Sequence, residues 1–376
     1  MEIPFNRPHF TGREALHLSE AAILGHLAGN GHYTRLCQGF FEERYGFRKS
    51  LLTTSCTDAL ELAALILDIE PGDEVIMPSY TFVSTANAFA LRGAKIVFAD
   101  SNPLNPNMDA DSLEGLITGK TRAIVVVHYG GIACDMQVIM ELAEKHRLFV
   151  VEDAAQSVDA FYNDIPLGSI GHLAAFSFHE TKNITSGEGG MLVVNDPSLI
   201  ERAEVVREKG TNRTAFARGE VEKYEWVSLG SSFLPNELTA AFLYGQLEHL
   251  DIIQQNRLEV WKNYLRLLHP LAEKGYIGLP HIPDYSAHNA HLFYLTARTP
   301  DERNLLLNHL NERGIHAVFH YLSLHSSPYF HKKHDGRELP NTVRYASTLI
   351  RLPLFFGLSA EETAYIAGSM ESFFEK

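Results

Sequence analysis

Cysteine is scarce, and no apolar run is long. The 376-residue chain holds three cysteines, Cys37, Cys56 and Cys134. They lie far apart without CxxC spacing, which excludes a disulfide framework and reads as reduced thiols of a cytoplasmic protein. No stretch approaches the length of a membrane span, and the start, Met-Glu-Ile-Pro-Phe-Asn-Arg-Pro, lacks a signal-peptide core. A membrane partner is therefore not expected. Positive charge is also short: 32 Lys and Arg stand against 46 Asp and Glu, a formal net charge of -14. That argues against a nucleic-acid groove or an anionic lipid surface as the main partner. Internal repeats and low-complexity segments are missing too.

What is present is ordinary for a globular protein: 45% hydrophobic and 21% charged residues. The length suffices for two domains. Pro4 and Pro8 keep the start extended, and Glu14–Leu27 and Leu36–Tyr45 have helical spacing. From Ser50 short β-branched runs alternate with helical periods. Strands are expected at Leu51–Thr54, Glu74–Met77, Lys95–Ala99, Ala123–His128 and Leu148–Glu152. Helices are expected at Thr57–Leu67, Phe82–Leu91, Asp111–Ile117 and Met136–His146. Such runs imply strands buried on both faces, hence a mostly parallel α/β sheet with crossover helices. Two further strands, Leu173–Phe178 and Met191–Asn195, flank a glycine-rich hairpin. A helix near Leu199–Lys209 and a polar loop, Gly210–Gly230, follow. Asn236–Leu268 reads as one long helical stretch. A smaller α+β unit then has strands at His291–Leu295 and His316–Tyr321, helices at Asp301–Arg313 and Ala360–Phe374, and a loop at His325–Asn341. The expected division is a large domain over 1–250, with an N-terminal arm, and a small domain over 251–376.

In such sheets ligands sit beyond the carboxyl ends of the strands. Three pieces fall there. Ser55-Cys56-Thr57-Asp58 joins a strand to a helix start, where backbone N–H groups and hydroxyls suit a phosphate; an ordinary N-cap would look the same. Glu152 and Asp153 end an apolar strand and alternate to opposite sides. A buried aspartate needs a cationic partner, and a protonated ring nitrogen, a lysine or arginine, or a metal would serve. Lys182 is the only basic residue between His179 and Glu201, in the turn after a buried strand. Desolvation lowers a lysine's pKa, and a neutral amine condenses with an aldehyde. Ser177 lies nearby, and an aromatic such as Phe82 or Tyr80 is placed to stack on a ring. A phosphate cradle, an acid for a ring nitrogen and an amine for an aldehyde are what pyridoxal phosphate requires.

The chain resembles the DegT/DnrJ/EryC1/StrS sugar aminotransferases. The resemblance runs through PGDEVIMPSYTFVSTANA at Pro71–Ala88, VEDAAQ at Val151–Gln156 and SFHETKNITSGEGG at Ser177–Gly190. It continues through REKG at Arg207–Gly210, ELTAAFLYGQL at Glu237–Leu247, HYLSLH at His320–His325 and LPL at Leu352–Leu354. The resemblance implies pyridoxal-phosphate fold type I and a homodimer with active sites at the subunit interface. By the same resemblance, Lys182 would bond the cofactor and shuttle protons, and Asp153 would hold the ring nitrogen. Gln156 would lie by the ring hydroxyl and Phe82 on the ring face. Thr57, Asp58 and Ser177 would hold the phosphate. His179, His320, Tyr321 and His325 would face the substrate. Two departures stand out: Cys56 where the family usually has Gly, and Ser232 where it usually has Asn for the partner subunit's phosphate.

Cys37, the TTSCT turn and REKGTNR together resemble one branch of the family. That branch implies transfer of the amino group of L-glutamate to C4 of dTDP-4-keto-6-deoxy-D-glucose. The product is dTDP-4-amino-4,6-dideoxy-D-galactose, for the surface polysaccharide called enterobacterial common antigen. A C3 ketone, or a C4 product of gluco configuration, are the enzyme alternatives, and a non-catalytic regulator holding the same cofactor is the alternative of another class. Dehydrating relatives carry histidine in place of Lys182. A zinc hydrolase is disfavoured, because His316 and His320 on a strand would stand about 13 Å apart. Arg213, Arg218 and Lys223 are candidates to offset a substrate diphosphate, or are simply solvated.

Overall fold

Runs such as Ile124–Val127 and Val150–Val151 have side chains fit only for burial on both faces, and they lie at the centre of the sheet. The computed structural model describes residues 1–375. After helices α1 (Arg13–Leu24) and α2 (His32–Tyr45), strand β1 (Ser50–Thr53) leads into α3 (Cys56–Ile66). Next come β2 (Glu74–Pro78), α4 (Val83–Ala90), β3 (Lys95–Ala99), β4 (Thr121–Val127), α5 (Met136–His146) and β5 (Phe149–Asp153). Two short strands, β6 (Phe161–Tyr162) and β7 (Ile165–Pro166), precede β8 (Leu173–Ser177) and β9 (Gly190–Val194). The central sheet has the order β1-β9-β8-β5-β4-β2-β3. β9 alone is antiparallel to its neighbours; β8, β5, β4, β2 and β3 pair in parallel. The mostly parallel α/β sheet expected from the sequence is therefore present.

Helices α6 (Ile200–Arg207), α7 (Arg213–Ala217), α8 (Glu237–Leu247) and α9 (Leu250–Glu273) follow. The second unit holds β10 (Ile277–Gly278), β11 (Ser286–Ala287), β12 (Phe293–Ala297), α10 (Pro300–Asn311), α11 (Pro340–Thr348), β13 (Leu349–Leu352) and α12 (Ala360–Phe374). β10, β12 and β13 form an antiparallel sheet, while β11 pairs with β6. Trp261, Tyr264, Phe293, Leu295, Ile350 and Met370 make a second core. Ile3 of the N-terminal arm is fully buried in it.

Several expectations change. The stretch Asn236–Leu268 is two helices, broken at Glu248–His249. Leu250 and Ile253 of α9 pack under the central sheet, and Val260 to Leu271 pack in the second core, so one helix ties both units. Asp111–Ile117 forms two 3-10 turns instead of a helix. His316–Tyr321 is not a strand: only Val318 bridges, to Arg351. The polar loop contains α7, and its Arg218 is engaged by Glu204 and Glu220.

Two buried carboxylates fix loops that the sheet alone would leave loose. Glu152 accepts the amides of Gly168 (2.7 Å), Ile170 (2.9 Å) and Gly171 (2.6 Å). His128 Nδ1 accepts the Cys134 amide, so its Nε2 carries the proton toward Glu152 at 3.0 Å. Glu237 accepts the amides of Gly31 (2.9 Å) and Tyr33 (2.7 Å) at the start of α2. Each carboxylate replaces water at amides that burial would otherwise leave unpaired.

Candidate active site

The carboxyl ends of β1, β5 and β8 open on one cavity of about 600 Å³. At the first, Ser55 caps α3 by accepting the Asp58 amide at 3.0 Å. The amides of Cys56 and Thr57, the first two residues of the helix, have no carbonyl one turn back to bond, which makes this end attractive to an anion. Gly190 lies against this turn so closely that a Cβ would sit 2.3 Å from the Ser55 carbonyl carbon. Glycine there is what lets β9 and the turn touch. The Thr57 hydroxyl donates to Ser84 Oγ at 2.8 Å, bringing the N-terminus of α4 to the same place. Thr57 lines the cavity; Asp58 does not. The Asp58 carboxylate turns back to the Thr54 hydroxyl, as an anion should beside a phosphate cradle.

Asp153 is 6% exposed and lines the cavity. Its carboxylate accepts the Thr85 hydroxyl at 2.7 Å and the Ala155 amide at 3.2 Å. Burial raises its pKa against those bonds. No lysine or arginine pairs with it among the described residues. Gln156 accepts the Gly130 amide at 2.6 Å and donates to the Tyr321 hydroxyl at 3.1 Å.

Ser177, His179 and Lys182 follow β8, and all three line the cavity. The Lys182 amide closes a turn on His179 O at 2.9 Å. Its neighbour Asn183 is anchored to Gln254 Oε1 (2.8 Å), Asn289 O (2.9 Å) and His291 Nδ1 (2.9 Å). The lysine thus stands on a fixed base. Burial lowers its pKa, although Asp153 pulls the other way. His179 contacts Thr181 Oγ1 at 3.0 Å and lies 3.6 Å from Glu188. Phe82, 55% exposed at the start of α4, forms a further wall.

The facing wall comes from elsewhere in the chain: Phe5, His291, His320, Tyr321 and Arg351. His320 Nε2 accepts from Arg351 Nη1 at 3.2 Å, so Nδ1 carries the proton toward Tyr129 Oη at 3.0 Å. Burial, then the charges of Arg351 and Lys182, hold its pKa well below the usual histidine value. His325 does not line the cavity. Its Nδ1 accepts from Ser79 Oγ at 2.7 Å and its ring faces His334, so it pins a loop to the end of β2. Ser232 is exposed and bridges Glu208 outside the cavity. Thr85, His291, Phe5 and Arg351 were not singled out from sequence. Arg351 directly precedes the LPL segment, the one signal that pointed near it.

A buried lysine, a buried acid without a cation and an anion-seeking helix end around one cavity suit a single kind of group. They fit pyridoxal 5'-phosphate: an aldehyde, a basic ring nitrogen and a phosphate. When bound, that group supplies an exchangeable carbon–nitrogen bond and a ring that takes up electrons. The fold and site define a pyridoxal-phosphate-dependent aminotransferase. The chain belongs to the DegT/DnrJ/EryC1/StrS aminotransferase family, whose pattern it matches over residues 11–371. It is 34% identical to the spore coat polysaccharide biosynthesis protein SpsC of Bacillus subtilis, covering 96% of this chain and 94% of that one. It is 30% identical to the GDP-perosamine synthase of Escherichia coli O157:H7, covering 99% and 98%. Spr1654 of Streptococcus pneumoniae, solved in its PLP-form, superposes with a TM-score of 0.91 at 26% identity, covering 100% of this chain and 99% of that one. The protein is a sugar aminotransferase that uses pyridoxal phosphate.

Proposed function

We propose that the enzyme moves the amino group of L-glutamate to C4 of dTDP-4-keto-6-deoxy-D-glucose. The products are dTDP-4-amino-4,6-dideoxy-D-galactose and 2-oxoglutarate, made in the cytoplasm for enterobacterial common antigen. The observation that carries this reading is Cys56. It opens α3 inside the cavity, at the turn where this branch of the family departs from glycine.

In this reading Lys182 would hold the cofactor through its aldehyde, which supplies the exchangeable carbon–nitrogen bond when bound. Once freed by the donor amine, Nζ would carry the proton from the donor's Cα to the cofactor's carbon, and in the second half-reaction would carry a proton from that carbon to the sugar's C4. Its lowered pKa suits both directions. Asp153 would hold the ring nitrogen, with the Thr85 hydroxyl fixing the carboxylate. The Cys56 and Thr57 amides, the Thr57 hydroxyl and Ser177 hold the phosphate. Phe82 would cover the ring, and Gln156 would lie beside the ring hydroxyl. His179, His320 and Tyr321 flank the sugar. We assign 1–250 to the cofactor domain and 251–376 to the small domain. A homodimer is part of the proposal: Phe82 and Val83 at the rim, and Trp226 and Leu229 on the loop before Ser232, are exposed apolar groups that a second copy would cover.

The test is product analysis with L-glutamate and dTDP-4-keto-6-deoxy-D-glucose, reading the configuration at C4 by NMR. An axial amine is expected. An equatorial amine, or no amine, overturns the galacto assignment and leaves the aminotransferase. The second reading is transfer to another nucleotide keto-sugar, favoured by the match along 98% of a GDP-perosamine synthase. Turnover of a GDP-linked ketone in preference to the dTDP one would establish it.

A further inference from the structure

Lys182 and Arg351 are the two lysine or arginine side chains lining the cavity, and the arginine has no use in the reading above. The two buried arginines among the described residues are engaged by protein oxygens: Arg207 donates to Leu52 O and Asn30 Oδ1, both at 2.8 Å. Arg257 donates to the carbonyls of Ala290 (3.2 Å), His291 (2.7 Å) and Leu354 (3.4 Å). Arg351 makes one side-chain hydrogen bond, from Nη1 to His320 Nε2, and its Nε is buried without a partner among the described residues. No carboxylate pairs with it there, in a chain of net charge -14. A desolvated guanidinium without a counter-ion is costly, and a planar fork is suited to a carboxylate.

The N-terminal arm explains why the guanidinium stays in place. Arg351 lies over the Phe5 ring, 4.7 Å from its centroid, as a cation–π pair. The arm is fastened on both sides of Phe5. The Ile3 amide donates to Gly314 O at 2.8 Å, and Asn6 Nδ2 donates to Glu180 O at 3.1 Å, two residues before Lys182. Phe5 itself lines the cavity.

We propose that Arg351 binds the α-carboxylate of the amino donor and that Phe5, on the N-terminal arm, is its positioning residue. The two substrates differ in where their charge lies. An amino acid carries its carboxylate one bond from the reacting carbon. A nucleotide sugar carries its charge on a diphosphate at the far side of the ring. Arg351 shares one cavity with Lys182, and the arm that carries Phe5 beneath it is tied to Glu180, two residues before the reacting lysine, so it meets the near anion. This inference rests on the aminotransferase reading but not on glutamate being the donor.

The test uses the holoenzyme and whichever L-amino acid converts the wild-type cofactor fastest; a donor other than glutamate would revise the proposed function alone. Stopped-flow absorbance gives the half-saturating donor concentration, and calorimetry gives the affinity for the matching keto acid. In Arg351→Gln both should weaken by about 10- to 100-fold, the worth of a charged hydrogen-bonded pair. The half-saturating concentration of the keto-sugar should move less, by about two- to fivefold, the worth of the one hydrogen bond lost to His320. Phe5→Leu, which keeps bulk but loses the ring, should weaken the donor by about three- to fivefold, and Phe5→Tyr should restore it. Arg351→Lys keeps the charge and guards against a folding loss; it should fall between wild type and the glutamine variant. Unchanged donor affinity in Arg351→Gln, or equal losses for donor and sugar, overturns the proposal. Phe5→Leu behaving as wild type overturns the role of the arm.

Discussion

The two walls of the cavity are built differently. The sheet-side wall is made of the ends of β1, β5 and β8, with the turns that follow them. Its side chains are held by direct bonds among strand ends and the helix starts beside them, such as Thr85 to Asp153 and Thr57 to Ser84. The facing wall gathers Phe5, His291, His320 and Arg351 from widely separated parts of the chain. Its groups are held by one another, through Arg351 to His320 to Tyr129. The first wall is a set of fixed positions for one unchanging group. The second has to receive two substrates in turn. Chemistry common to both half-reactions should therefore depend on the first wall, and discrimination between substrates on the second.

The largest effect expected is on the first wall. Lys182→Ala should lower turnover by at least about 10³-fold in both half-reactions, because the proton carrier is gone. Circular dichroism should stay native. Equal losses for amino acid and sugar would fit the contrast between walls; a loss confined to one substrate would break it. Asp153→Asn comes next. Replacing the buried carboxylate removes the charge at the ring nitrogen, and a loss of about 10²- to 10³-fold is expected with the cofactor still bound. An unchanged rate would show that Asp153 does not face the ring nitrogen. The Arg351 and Phe5 variants sit below these and should separate donor from sugar, which neither Lys182 nor Asp153 variants should do.

The contrast also explains what the sequence discloses. Strand ends in a parallel sheet share one rim, so Thr57, Asp153, Gln156, Ser177 and Lys182 could be collected before any coordinates. Local rules fail where a side chain chooses between neighbours. Asp58 sits in the right turn, but its carboxylate turns to Thr54. His325 lies four residues beyond Tyr321, the end of the cavity-facing segment, and bonds Ser79 instead. The second wall has no such rim. Phe5 and Arg351 meet only because the arm docks beside Ile315 while β13 pairs with β12. β13 and α11 lie almost wholly past the loop expected at His325–Asn341, in a stretch for which no element was expected. The stretch His316–Tyr321 has strand-like alternation, yet its partners are single: Val318 bridges Arg351, and the side chains go to Glu2, Tyr129 and Gln156.

The smallest effect expected is on stability, and it separates the walls by pH. Each wall holds one cation. Burial lowers the pKa of Lys182, so the native apoprotein binds fewer protons than the unfolded chain between the lowered value and the usual lysine value near 10.4. Stability then rises with pH across that window. Below it the cost of burying the ammonium is present in full. Lys182→Met removes that cost, so the apoprotein variant should melt above wild type at neutral pH. The gap should close as the pH approaches about 10 and the wild-type amine sheds its proton inside the fold. Arg351→Met should behave otherwise. A guanidinium does not lose its proton in the accessible range, so any change in melting temperature should be flat from pH 7 to 10. Melting curves of both apoprotein variants against wild type, at several pH values, make the comparison. A pH-independent gap for Lys182→Met would mean that the amine stays charged inside the cavity. The first wall would then hold its lysine as the second holds its arginine, as a cation that keeps its proton inside the fold.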